Sequence, residues 1–111
     1  MLYNSLSFPD EGHESDNFIV LDLNNGYLEY KEALLEQIVR YLDKYNCRGL
    51  LIKSHELREY DFPSIYGLTL TLRAIYGDRV ALVLQTKYTF DELVAMQDDT
   101  VDSILQLVTL L

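Results

Sequence analysis

Three short apolar runs, separated by two stretches of helical periodicity, restrict this chain more than any other feature. The runs are Phe18-Ile-Val-Leu-Asp-Leu23, Arg48-Gly-Leu-Leu-Ile-Lys53 and Arg79-Val-Ala-Leu-Val-Leu84. Each is short, apolar and bounded by polar residues, which suits a strand better than a helix. Between the first two, Leu34, Leu35, Ile38, Val39 and Leu42 recur at intervals of three and four and predict a helix over about 30–45. Between the second and third, Ile65, Leu68, Leu72 and Ile75 do the same over about 62–76. Apolar strands alternating with amphipathic helices imply a largely parallel sheet with right-handed crossovers. The runs at 48–53 and 79–84 read as strands buried on both faces.

Local signals place the boundaries. Asn24-Asn25-Gly26 marks a turn, because Asn and Gly tolerate positive φ. Asn46 suits the residue just past a helix C-terminus, and Gly77 does so after the second helix. Pro63 falls in a first helical turn. Thr89-Phe-Asp-Glu92 has the spacing of a capping box, with Tyr88 and Leu93 placed as a hydrophobic staple, and opens a short helix ending near Gln97. Asp98-Asp99-Thr100 then starts a last helix over about 101–110, with Val101, Ile104, Leu105 and Val108 facing inward. On the first helix Glu36 and Arg40 have the spacing of a surface ion pair. Residues 2–8 read as a further short strand, able to pair with 18–23 across the acidic loop 9–17. The expected architecture is an α/β single-domain sandwich covering residues 1–111. It has a mostly parallel four- to five-stranded sheet and the order β-β-α-β-α-β-α-α.

A length of 111 residues fits one domain. The 18 acidic residues against 9 basic ones give a net charge of -9, a field that repels phosphate backbones and anionic lipid headgroups. Lys and Arg stand singly along the chain, so nucleic acid and membrane are not expected partners. Cys47 is the single cysteine, which excludes an intrachain disulfide and suits a reducing compartment. The N-terminus shows no charged and apolar leader pattern. A soluble, cytoplasmic protein is the expectation.

Three segments resemble the STAS and SpoIIAA-like superfamily, the fold of bacterial anti-sigma-factor antagonists. They are Phe18-Ile-Val-Leu-Asp-Leu-Asn-Asn-Gly-Tyr-Leu-Glu29, Gly49-Leu-Leu-Ile-Lys53 leading on to Asp61, and Tyr76-Gly-Asp-Arg-Val-Ala-Leu-Val-Leu84. Together they span about residues 18–84. The resemblance implies a non-catalytic regulatory or scaffold protein that acts through protein–protein contact. Its partner is another protein, or a second copy in a homodimer, and no cofactor or metal is implied. That family's Asp-Ser-Ser/Thr-Gly-Leu/Val turn falls on Asp61-Phe62-Pro63-Ser64-Ile65. Phe62 stands at the phosphoserine position, so the phospho-switch is not expected in its usual form. The short segment after Leu84 also departs from the family and suggests that a final strand is missing. Some superfamily members bind lipids, which leaves a small apolar ligand as the alternative function.

The candidate partner-binding residues are Tyr60, Asp61, Phe62, Ser64, Tyr66 and Gly67. Tyrosine pairs apolar area with a polar tip and is enriched at interfaces, though it serves equally at the rim of a core. Ser64 is a candidate phosphorylation site near a helix N-terminus, where the dipole favours negative charge, although serine is common at helix starts for capping reasons alone. Gly67 costs helix stability relative to Ala, which suggests close packing there. His13 lies among acids in a loop without metal-motif spacing, and His55 sits between Ser54 and Glu56, neighbours that cannot form a triad. Cys47 follows a helix C-terminus, where the dipole disfavours a thiolate, and reads as structural.

Overall fold

The computed structural model describes residues 6–7, 17–23 and 32–111. The expected turn at 24–26 and the loop carrying His13 lie outside the described residues. The elements are β1 (Leu6–Ser7), β2 (Phe18–Asp22), α1 (Glu32–Lys44), β3 (Gly49–Lys53), α2 (Phe62–Tyr76), β4 (Ala81–Gln85), α3 (Phe90–Ala95), α4 (Asp99–Leu107) and β5 (Thr109–Leu110). Short 3-10 turns at Glu59–Asp61 and Gly77–Arg79 flank α2. Among the described residues, the five strands form one sheet in sequential order. β1 runs antiparallel to β2, and β2 through β5 are parallel. The N-terminal strand therefore pairs within the domain.

The helix punctuation follows local chemistry. Asn46 adopts a positive φ of 49° just past α1, and the Cys47 amide reaches back to the Leu42 carbonyl at 3.0 Å. That is the six-to-one bond of a Schellman ending. Asn17 adds to it from outside the helix, its amide donating to the Tyr45 and Asn46 carbonyls. α3 begins with the full capping box: the Glu92 amide donates to Thr89 Oγ1 and the Thr89 amide to Glu92 Oε1. Asp98 Oδ1 accepts from the first amides of α4, those of Thr100 and Val101. Glu36 and Arg40 make no ion pair with each other among the described residues.

Strand register explains the core. Ile19, Leu50 and Leu82 form one buried row, and Leu21, Ile52 and Leu84 the next. These rows join Leu34 and Ile38 of α1, Ile65, Leu68 and Leu72 of α2, Leu93 of α3, and Val101 and Ile104 of α4 in one apolar cluster. The intervening residues Phe18, Val20, Leu51 and Val83 are only half-buried. This corrects the expectation that the runs at 48–53 and 79–84 are buried on both faces. In a parallel sheet laid down in sequential order, crossovers of one hand put the helices on one face. The other face then keeps its apolar residues without being sealed.

Three more expectations change. The last helix stops at Leu107, and Thr109–Leu110 pairs in parallel with Val83 and Leu84. The closing strand expected to be missing is thus present. Ile75 lies 45% exposed, while Thr69 and Tyr76 take the buried side of α2. A 3-10 turn starts at Gly77, whose φ is +58°, and runs to Arg79, so β4 starts only at Ala81.

Gly49 opens β3 because nothing larger fits. Its register partners are Phe18 and Ala81. A Cβ there would stand 2.3 Å from the Ala81 carbonyl oxygen and 2.6 Å from the Phe18 ring. Neither the backbone nor the ring can yield cheaply without shifting the central strand pair. Gly49→Ala is expected to destabilise the protein by about 2 kcal/mol, as overpacking does, read from the urea unfolding midpoint.

The ends of α1 and α2 are joined by Tyr76, whose hydroxyl donates to Asp43 Oδ1 at 2.9 Å. Burial, then the hydrogen bond and charge of Asp43, push the phenol up to about 12 from an ordinary 10.0. Folding therefore favours the neutral phenol. The stabilisation is complete below pH 10 and is lost as pH rises toward 12. Tyr76→Phe is expected to cost about 1 kcal/mol at pH 7. The gap between wild type and variant should close in urea titrations carried from pH 10 to pH 12.

Candidate functional site

The segment from Ser54 to Gly67 leaves the carboxyl end of β3, turns through Glu59–Asp61 and enters α2. Its hinge is Arg58. The guanidinium Nε donates to Asp61 Oδ2 at 2.8 Å, and a terminal nitrogen donates to the Leu23 carbonyl at 3.1 Å. One side chain thus ties the start of α2 to the end of β2. Asp61 is fully buried, and Phe62 sits in the core cluster at 5% exposure. These two candidates hold the turn from inside, and an approaching partner would not meet them.

The other candidates lie nearer the surface. Tyr60 is 60% exposed, with the Arg58 guanidinium 5.0 Å over its ring. Ser64 is half-buried in the first turn of α2. Because the 3-10 turn runs straight into the helix, the Phe62 amide is already bonded to Glu59. Tyr66 is half-buried and packs against the core. Gly67 is half-buried, and its carbonyl accepts from the Thr71 hydroxyl at 2.8 Å.

Sequence reading took α2 by its buried stripe and passed over its outer side. Helical spacing puts Pro63, Gly67, Leu70 and Ala74 along the middle of that side, with Thr71 and Ile75 beside them. Leu70 and Ile75 are each 45% exposed. The helix contains no acid, and its one cation, Arg73, turns away to donate to the carbonyls of Gly77, Val80 and Leu107. The outer side of α2 is therefore without charge in a chain of net charge -9. The signal was present as a run, Phe62-Pro-Ser-Ile-Tyr-Gly-Leu-Thr-Leu-Thr-Leu72, eleven residues without a charge.

The cations that stand singly in the sequence do not stay apart in the fold. Lys53, Arg58 and Lys87 meet around His55 at the carboxyl ends of the strands. Lys87 pairs with Glu56, and Tyr88 donates to the same carboxylate at 3.4 Å. The Lys87 hydrogen bond holds the Glu56 carboxyl below its usual range and the Lys87 ammonium above its own. Elsewhere, burial pushes the Cys47 thiol up, as expected of a structural cysteine. The apolar interior bounded by Phe62, Leu84, Leu93 and Val101 leaves a void of only about 10 Å³.

The two ends of the Arg58–Asp61 pair should respond unequally. Asp61→Ala leaves Arg58 able to reach water, since that side chain is 29% exposed. Its expected cost is about 2 kcal/mol, discounted for that exposure. Arg58→Ala takes the neighbouring cation from a buried carboxylate and is expected to cost about 3 kcal/mol or more. Urea unfolding at pH 7 ranks the two, and equal losses would contradict the assigned geometry.

No family model, curated protein or solved structure matches this chain.

Proposed function

We propose that this is a non-catalytic regulatory or scaffold protein with a SpoIIAA-like fold, which works by protein–protein contact through Tyr60 and the outer side of α2. The observation that carries the reading is the uncharged helix face in a strongly acidic chain. A helix with apolar residues on all sides is ordinarily covered on all sides. An interface core is likewise poor in charge, with aromatic residues at its centre. Tyr60 supplies the aromatic anchor, and the small residues Gly67 and Ala74 let a partner backbone come close. A phosphate on Ser64 would add a charge of about −1.5 to −2 at the edge of this face and weaken an apolar contact. The lipid-like ligand reading gains nothing from an interior void of about 10 Å³.

The test is capture from the source lysate, with proteins identified by mass spectrometry. A Tyr60→Ala/Leu70→Asp double variant, shown to be folded by circular dichroism, is the control. Wild type is expected to enrich a defined protein that the variant loses by about tenfold or more, the loss that truncating one interface hot spot brings. Equal capture by both baits, or none by a folded wild type, would refute the proposal.

A further inference from the structure

A second site is formed by residues that the α2 face does not use. The register Asp22–Lys53–Gln85 puts three polar side chains in one row at the carboxyl ends of β2, β3 and β4. Parallel neighbours are about 4.8 Å apart, so the row spans about 10 Å. His55, Thr86 and Lys87 close an open cleft of about 390 Å³ around it. Ligands of open parallel sheets commonly bind beyond the carboxyl ends of the strands, in clefts of about this volume.

The backbone there is already occupied. The Lys53 carbonyl accepts from the Leu23 amide, the Gln85 carbonyl from Ser54, and the His55 carbonyl from both Lys87 and the Thr86 hydroxyl. What faces the cleft is side-chain chemistry. Two of the three cations at this end are paired, Arg58 with Asp61 and Lys87 with Glu56. Lys53 is not. Among the described residues its ammonium makes no hydrogen bond or ion pair, although Asp22, which has a partner of its own, stands beside it in register and Lys53 is half-buried. In a chain with twice as many acids as bases, a half-buried lysine with no carboxylate partner among the described residues keeps an uncompensated positive charge beside the cleft.

We propose that this cleft binds a small hydroxylated anion, with its phosphate or carboxylate on Lys53 and its hydroxyls toward Asp22 and Gln85. Asp22 accepts hydrogen bonds only, so the part of the ligand beside it must donate. The size of the cleft and the net charge of the protein favour a free small molecule over a polyanion or an anionic membrane. The acids spread over the surface repel an extended charged surface, while a compact ligand seated beside Lys53 meets only the charges within about 10 Å of it.

The experiment is a titration of the full chain, followed by amide nuclear magnetic resonance. The probes are inorganic phosphate and ribose 5-phosphate, each against sodium chloride of equal ionic strength. Saturable shifts are expected at Lys53, Ser54, Thr86 and Lys87, with tighter binding of ribose 5-phosphate. Lys53→Met keeps the aliphatic stem and removes the charge. It is expected to weaken both probes by about tenfold, the value of one charge-assisted hydrogen bond, with the unfolding midpoint unchanged. Shifts that chloride reproduces, or equal binding by Lys53→Met, would overturn the site. So would Lys53-dependent binding to phosphatidic acid vesicles without binding of the free probes, which would make the occupant a headgroup. The Tyr60→Ala/Leu70→Asp variant should bind both probes as wild type does, which separates this site from the α2 face.

Discussion

Burial of one face of the parallel sheet is the interaction on which the rest depends. The rows Ile19–Leu50–Leu82 and Leu21–Ile52–Leu84 lie under the helices and are almost wholly removed from water. Each such side chain contributes about 2 kcal/mol by leaving water, a sum large enough to order the crossovers that cover them. A slip of one residue in any strand would turn these rows outward and bring Asp22, Lys53 or Gln85 in. The register is therefore locked by the pattern of side chains. Gly49 adds a steric limit, since the close approach of Phe18 and Ala81 leaves room for no side chain between them.

Polar ties finish what burial begins, and they cluster where elements end. Arg58 fastens α2 to the end of β2, and Arg73 gathers carbonyls from the segment after α2 and from the end of α4. Tyr76 joins α2 to α1. The two arginines meet carbonyls near the ends of helices and strands, where backbone groups lack an internal partner. Thr69 and Thr71 instead satisfy themselves within α2, by donating to carbonyls one turn back. Threonines bonded back into the helix and an arginine turned toward carbonyls leave the outer side of α2 without charge.

The two proposed surfaces differ in the kind of chemistry they offer. The α2 face offers shape and apolar area, and it suits a partner that brings its own complementary surface. The cleft at the strand ends offers Lys53, unpaired among the described residues, and several hydrogen-bonding groups, and it suits a small polar ligand.

Much of this was legible in the residues taken in order. The strands at 18–22 and 49–53, the bounds of α2, the capping box at Thr89 and Glu92, and the role of Asn46 are local matters. Spacing of three and four, proline's fixed φ and the short reach of capping side chains act within a few residues of themselves. The sequence alone therefore determined the α/β class, the largely parallel sheet and most helix boundaries. Only the tertiary structure decided which apolar faces are sealed, because that depends on where successive crossovers lie. It placed Asp61 and Phe62 inside the turn and left Leu70 and Ile75 outside, since exposure is set by neighbours distant in the chain. It also brought Lys53, His55 and Lys87 together, because strands paired in register carry residues more than thirty positions apart to one end of the sheet.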